Sequence, residues 1–305
     1  MTTAHLALVG PTASGKSSLA VAAAAALGDV EIVSVDSMQL YRGLDIGTAK
    51  PSAEERARVP HHMIDVAEPG DDYSVARFQD AARVAVADIE GRGRRALLVG
   101  GTGLYVQAVI DDLRFPGEDL RLRGELEAWT AAPGGVAAAY AELEAVDPAA
   151  AARIDPHNAR RIVRALEVVR LTGKPFSSFG PGVSGFGPTA FPVSIAGVWL
   201  PRGVVARRID DRIESMRSAG LVDEVERFRN VLSRTASQAL GYKELIGADG
   251  LVADLDGAFA IMARRTRSFA RRQRMWFRRD PRIAWFGAAE NPCGILPALL
   301  ARWSP

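Results

Sequence analysis

The stretch GPTASGKS, residues 10–17, constrains this chain more than any other. It fits the pattern G-x-x-x-x-G-K-S, follows the apolar run HLALV, and opens an alanine-rich segment that ends at Leu27 before Gly28. In a strand, glycine-bounded loop and helix of this kind, backbone amides close around phosphate oxygens and the helix N-terminus adds partial positive charge. Gly10, Pro11, Thr12, Ala13, Ser14, Gly15, Lys16 and Ser17 are therefore the expected phosphate-binding residues. Lys16 supplies a point charge, and the Ser17 hydroxyl can ligate Mg2+. The loop names a ligand class only. Kinases, ATPases, GTPases and some group-transfer enzymes carry such a loop, so the reaction has to be read elsewhere.

Further buried-strand patterns follow at Glu31–Ser37, Ala96–Gly101 and Phe191–Leu200, with a shorter one at Arg282–Phe286. Tyr73–Glu90 has helical spacing between the second and third. Strands alternating with helices predict an α/β fold, a P-loop doubly wound parallel sheet. Some ninety residues between the third and fourth strands carry no strand pattern; Arg121–Trp129, Gly135–Val146 and Asn158–Leu171 read as helices. The expected organisation is a core of residues 1–116 and 191–305, with an arginine-rich C-terminal helix, and a helical insertion domain over 117–190. The 305 residues, 48% of them hydrophobic and 24% charged, suffice for a sizeable core. No apolar run is long enough to span a bilayer. The first residues carry no signal-peptide pattern, so the expected location is the cytoplasm.

Asp36 falls at the carboxyl end of the second strand, where open α/β sheets place their sites. There it could ligate a metal, act as a general base, or merely hold a turn. Ser37 and Gln39 add hydrogen-bonding groups suited to a base edge. The third strand ends VGGTGLY with no acid at its tip, so the acid that loop-type ATPases use for Mg2+ and water is missing there. Gly100 and Gly101 permit a close approach, and Thr102 either faces the crevice or caps the next helix.

Net charge is only +2, yet residues 264–282 hold nine arginines and one acid. Read as a helix, this segment carries an apolar seam of Met262, Phe269 and Trp276. Arg265, Arg272 and Arg279 flank the seam, with Arg264, Arg267, Arg271, Arg274 and Arg278 on the far side. Nine cations of one sign point to phosphate partners, with Arg271 and Arg278 the expected contacts. His61 and His62 are adjacent and have no acid or histidine at ligand spacing, so no metal site is assigned to them. The single Cys293 excludes an internal disulfide or a multi-cysteine zinc site.

The segments GPTASGKS, SVDSMQLYRGLDIGTAKP, PHHMID, LLVGGTGLY, DPHNARRIVRALEV, GLVDEV, ALGYKEL and RRQRMWFRRD, in this order, resemble the bacterial tRNA dimethylallyltransferase (tRNA isopentenyltransferase) family. The resemblance covers nearly the whole chain. It implies transfer of a dimethylallyl group from dimethylallyl diphosphate to the exocyclic amine of the adenosine 3′ of the anticodon, with Mg2+ as cofactor. By that resemblance the loop holds the leaving diphosphate, Asp36 is the base for the amine, and Thr102 assists near the donor oxygen or the amine. Lys16 neutralises the diphosphate. The tRNA anticodon stem-loop would be contacted by Asp36, Ser37, Met38, Gln39 and Thr102, and from the insertion by Ala159, Arg160, Arg161, Ile162, Val163 and Arg121. Arg123 matches almost as well as Arg121. A monomer is the favoured state. The competing readings are a nucleotide or small-molecule kinase, an adenylate-directed isopentenyltransferase, and a P-loop RNA-binding regulator.

Overall fold

The computed structural model describes residues 4–111, 113–180, 182–247 and 250–303. The chain divides into two compact units, one of residues 1–112 and 186–305, the other of 113–185. Residues 186–190, which turn-rich composition assigned to the insertion, therefore belong to the larger unit: Ala190 donates its amide to the Ile110 carbonyl there.

The larger unit begins with β1 (His5–Val9), α1 (Lys16–Leu27), β2 (Val30–Ser34), α2 (Ala53–Arg58), β3 (His61–His62), α3 (Val75–Gly91), β4 (Arg95–Gly100) and α4 (Gly103–Ile110). The smaller unit supplies α5 (Leu120–Ala131), α6 (Gly135–Val146), α7 (Pro148–Ala151) and α8 (Ala159–Thr172). The chain returns with β5 (Val193–Trp199), α9 (Arg202–Ser218), α10 (Leu221–Phe228), α11 (Tyr242–Leu245), β6 (Ile246–Gly247) and β7 (Gly250–Leu251). It ends with α12 (Leu255–Phe277), β8 (Ala284–Gly287) and α13 (Leu296–Trp303).

Six strands form one parallel sheet in the order β3-β2-β4-β1-β5-β8. Alternation along the strands feeds two cores. Leu6 and Leu8 of β1, with Leu97 and Val99 of β4, pack against α1 and α13. Ala7 and Val9, with Ala96 and Leu98, pack on the opposite face against α3, α4, α9 and α12. This two-sided burial is why the strands read as continuous apolar runs. The order places β1 between β4 and β5, so the loops leaving β1, β4 and β5 emerge side by side at the carboxyl edge. The β3 strand was not visible as a pattern because only two residues pair.

The smaller unit is a helical cluster around Leu126, Ala139, Leu143, Ile154, Ile162 and Leu166. At its centre the Glu167 carboxylate is wholly buried, held by Arg123 and Arg164 and by the Asp119 amide. Among the described residues no helix is long and apolar enough to cross a membrane.

Candidate active site

The loop between β1 and α1 turns through Ala13 (φ 60°) and Gly15 (φ 78°), both left-handed, so that successive amides converge. The amides of Ala13, Gly15, Lys16 and Ser17 donate to no acceptor among the described residues. Ser14 is wholly buried and its hydroxyl is likewise unpartnered. Four unengaged amides in a closed turn at a helix N-terminus form a cradle for an anion. The Ser17 hydroxyl lies exposed on the first turn of α1 without a protein partner among the described residues. That hydroxyl offers one hard-oxygen ligand to a divalent cation whose other ligands would be phosphate oxygens and water; among the described residues no cluster of three His, Cys, Asp or Glu side chains could hold a metal by itself.

Cations surround the cradle. Burial pushes the Lys16 ammonium down to about 8, with Asp36 supporting its charge and Arg212 opposing it. Arg212 and Arg208 reach the loop from α9, one helical turn apart. Arg212 donates from Nη1 to the Thr12 hydroxyl (3.0 Å), and Arg208 from Nε to the Ala13 carbonyl (2.9 Å). Burial lowers the Arg212 pKa, and the Asp36 charge offsets part of that effect. Lys16, Arg212 and the carboxylate at the end of β2 thus form one electrostatic group. Sequence reasoning did not find Arg208 and Arg212, because RRIDDRIES reads as an ordinary solvated helix face.

Asp36 accepts the Met38 amide at 2.9 Å through one carboxylate oxygen. Gln39, expected at a base edge, has its amide engaged inside the protein. Ser34 donates to its oxygen, and its nitrogen donates to the carbonyls of Thr48 and Ala49. Met38 is half-buried against the core. Thr102 stands at the N-cap of α4, but its side chain makes no capping hydrogen bond. Gly100 and Gly101 allow the close approach their pattern suggests: a Cβ on Gly100 would lie 2.3 Å from the Val35 carbonyl, and one on Gly101 3.2 Å from that of Gly10.

The segment after Gln39 is clamped by Glu224 of α10. Its carboxylate accepts the amides of Asp45, Ile46 and Gly47 and the Tyr242 hydroxyl, all at 2.7–2.9 Å. The motifs GLVDEV and ALGYKEL are thereby explained as the support for the strand end that carries Asp36. In PHHMID, His62 pairs with the buried Glu31, and His61 bonds the Val59 carbonyl.

A family model described as IPP transferase matches residues 39–280, and one described as isopentenyl transferase matches 3–65. The chain belongs to the IPP transferase family. It is 50% identical to a tRNA dimethylallyltransferase of Kineococcus radiotolerans, over 97% of this chain and 94% of that one. It is 49% identical to one from Bifidobacterium longum, over 96% and 88%. Among solved structures it resembles the tRNA isopentenylpyrophosphate transferase of Bacillus halodurans (39% identity, TM-score 0.70, 99% and 97% covered). It also resembles a eukaryotic dimethylallyltransferase acting on tRNA (25% identity, TM-score 0.77, 94% and 74% covered).

In this IPP transferase the arginine helix α12 differs from the seam expected of it. The buried stripe runs Phe259, Met262, Thr266, Ala270, Gln273, Phe277. Met262 belongs to it; Phe269 and Trp276 are only half-buried, at the edge of the face that Thr266, Ala270, Gln273 and Phe277 bury. Arg274 is half-buried and bonds the Leu200 carbonyl, and Arg267 pairs with Asp210, so these two are not on a free face. Arg271 and Arg278 are exposed and make no ion pair among the described residues.

Within the smaller unit, Arg160 and Arg161 are exposed, Ala159 is half-buried, and Ile162 and Val163 are in the core, not at the surface expected of them. Arg121 is 88% exposed and lies 3.7 Å from Glu125, whereas Arg123 is held by Glu118 and the buried Glu167. Of these two arginines, Arg121 is the one with a free face.

Proposed function

We infer that this chain transfers a dimethylallyl group from dimethylallyl diphosphate to the exocyclic amine of the adenosine 3′ of the anticodon in tRNA. The observation that carries the reading is the phosphate cradle ringed by Lys16, Arg208 and Arg212, facing Asp36 at the end of β2, with no acid at the tip of β4. A cradle without that acid suits a departing diphosphate better than a γ-phosphate attacked by water. Relatives about half identical over almost the full length carry the name tRNA dimethylallyltransferase.

In the reaction the bond between the allylic carbon and the diphosphate oxygen breaks, and a bond from that carbon to the adenine nitrogen forms. Asp36 takes the proton the amine loses. Charge grows on the diphosphate as the bond breaks, and the loop amides, Lys16, Arg208 and Arg212 stabilise it in place, as fixed donors aimed at developing charge do. Thr102, whose hydroxyl has no cap to make, hydrogen-bonds the donor oxygen or the amine. Mg2+, held by Ser17, would supply further positive charge to the leaving group. Asp36, Ser37 and the loop behind them receive the target base once it leaves its stack. Arg271 and Arg278 of the larger unit, and Arg160, Arg161 and the exposed Arg121 of the smaller one, present guanidinium groups suited to the phosphates of the anticodon stem-loop.

Labelled dimethylallyl diphosphate mixed with unmodified tRNA, or with AMP, tests the reading. Label in the tRNA and free diphosphate in equal amounts are expected. Label in AMP alone, or phosphate transfer from ATP, would favour the competing enzymes.

A further inference from the structure

The outward face of α12 carries arginines, but its one buried amide touches both loops of the site. Gln273 is only 6% exposed. Its side-chain oxygen accepts the Thr12 amide at 2.8 Å, and its side-chain nitrogen donates to the Gly101 carbonyl at 2.8 Å. The orientation follows from the partners: a backbone N–H only donates and a carbonyl only accepts. Thr12 belongs to the phosphate loop after β1, and Gly101 immediately precedes Thr102 after β4. A Cβ on Gly101 would fall 2.6 Å from the Gln273 nitrogen, so the glycine is what lets the amide in.

A core-filling role does not account for this. A buried amide costs stability unless fully hydrogen-bonded, and an apolar residue would complete the stripe of Met262, Ala270 and Phe277. The neighbouring buried Thr266 satisfies itself on its own helix, donating to the Met262 carbonyl. Gln273 instead reaches off its helix to two separate loops, which calls for one group that both donates and accepts. By engaging the Thr12 amide it also leaves the cradle to the amides of Ala13, Gly15, Lys16 and Ser17.

We propose that Gln273 is a positioning residue for the transfer reaction, setting the separation between the phosphate loop and Thr102. The proposal rests on the reading that the loop holds the donor diphosphate. The full-length chain is compared with Q273M, T102A and the double variant, measuring pyrophosphate affinity, stem-loop affinity, single-turnover rate and Tm. For Q273M, pyrophosphate affinity is expected to fall about tenfold, the worth of one well-placed hydrogen bond. Its rate should fall roughly ten- to a hundredfold from misplacement. Stem-loop affinity should stay within about twofold, since the arginine face is untouched. The Q273M and T102A effects on rate should fail to multiply in the double variant, because both act through the same hydroxyl. Should Q273M not fold, Q273N stays polar and uncharged but is one methylene too short to reach both Thr12 and Gly101, and carries the same expectations. A variant with a lowered Tm but wild-type pyrophosphate affinity and rate, or effects that multiply in full, would overturn the proposal. Failure of the functional reading shows differently, as a wild-type chain that binds no pyrophosphate and transfers nothing.

Discussion

Arg265 donates to the carboxylate of Glu244 at 2.6 Å, and the Glu244 side chain is wholly buried while half of Arg265 remains open to solvent. The second Glu244 oxygen accepts the Gly241 amide, so the acid is satisfied only while Arg265 stays. One arginine of the basic run is therefore structural. Arg265→Ala strands a buried carboxylate and should lower stability by about 2–4 kcal/mol. Arg271→Ala should leave it within about 0.5 kcal/mol, as an exposed residue without a partner does. Denaturant unfolding of both variants checks the contrast.

Lys16 should give the site a pH dependence of opposite sign in binding and in stability. Its pKa is lowered to about 8 from 10.5, chiefly by burial. Between those values the unfolded chain binds more protons, so stability of the ligand-free protein rises with pH across that window. Below it the cost of the buried charge is present in full. Pyrophosphate binds the charged form, so Lys16's share of its affinity should decline as pH climbs through about 8. Lys16→Ala supplies the baseline for the ligand's own ionisation. It should lose the pH-dependent component and cost on the order of a hundredfold in turnover. Calorimetric titrations from neutral to alkaline pH measure both trends.

Much of this architecture is legible in the chain itself, and the gaps have physical causes. Apolar runs mark β1, β2, β4 and β5 because both faces of each are buried. Two paired residues are too few to make a pattern, which hides β3. The loop from Gly10 to Ser17 is readable because its backbone shape demands particular residues at fixed spacing. Arg208 and Arg212 are not, since their role depends on where α9 packs and not on its composition. Gln273 is hidden for a related reason: a polar residue in a basic run reads as surface, and only the packing of α12 turns it inward.

The free arginines of α12 should reveal themselves in salt dependence. Changing Arg271 and Arg278 together to Ala should weaken stem-loop binding uniformly across sequences. It should also flatten the log–log salt plot by roughly one unit per lost phosphate contact. Pyrophosphate affinity and Tm should be unchanged. Parallel plots of equal affinity would assign these arginines to a merely solvated face and move the phosphate contacts to Arg121, Arg160 and Arg161.

The central claim is that Asp36 removes the amine proton beside a diphosphate held by the loop. Single-turnover transfer by Asp36→Asn, with saturating donor and tRNA, tests it most directly. Asparagine keeps the shape and can still accept the Met38 amide, so the strand end should hold its form. The account predicts a rate lower by roughly a hundred- to ten-thousandfold, with tRNA affinity within a few-fold of wild type, and a smaller loss in the same direction for Thr102→Ala. A variant that keeps the single-turnover rate but loses tRNA binding would contradict it, making Asp36 a recognition residue and not the base.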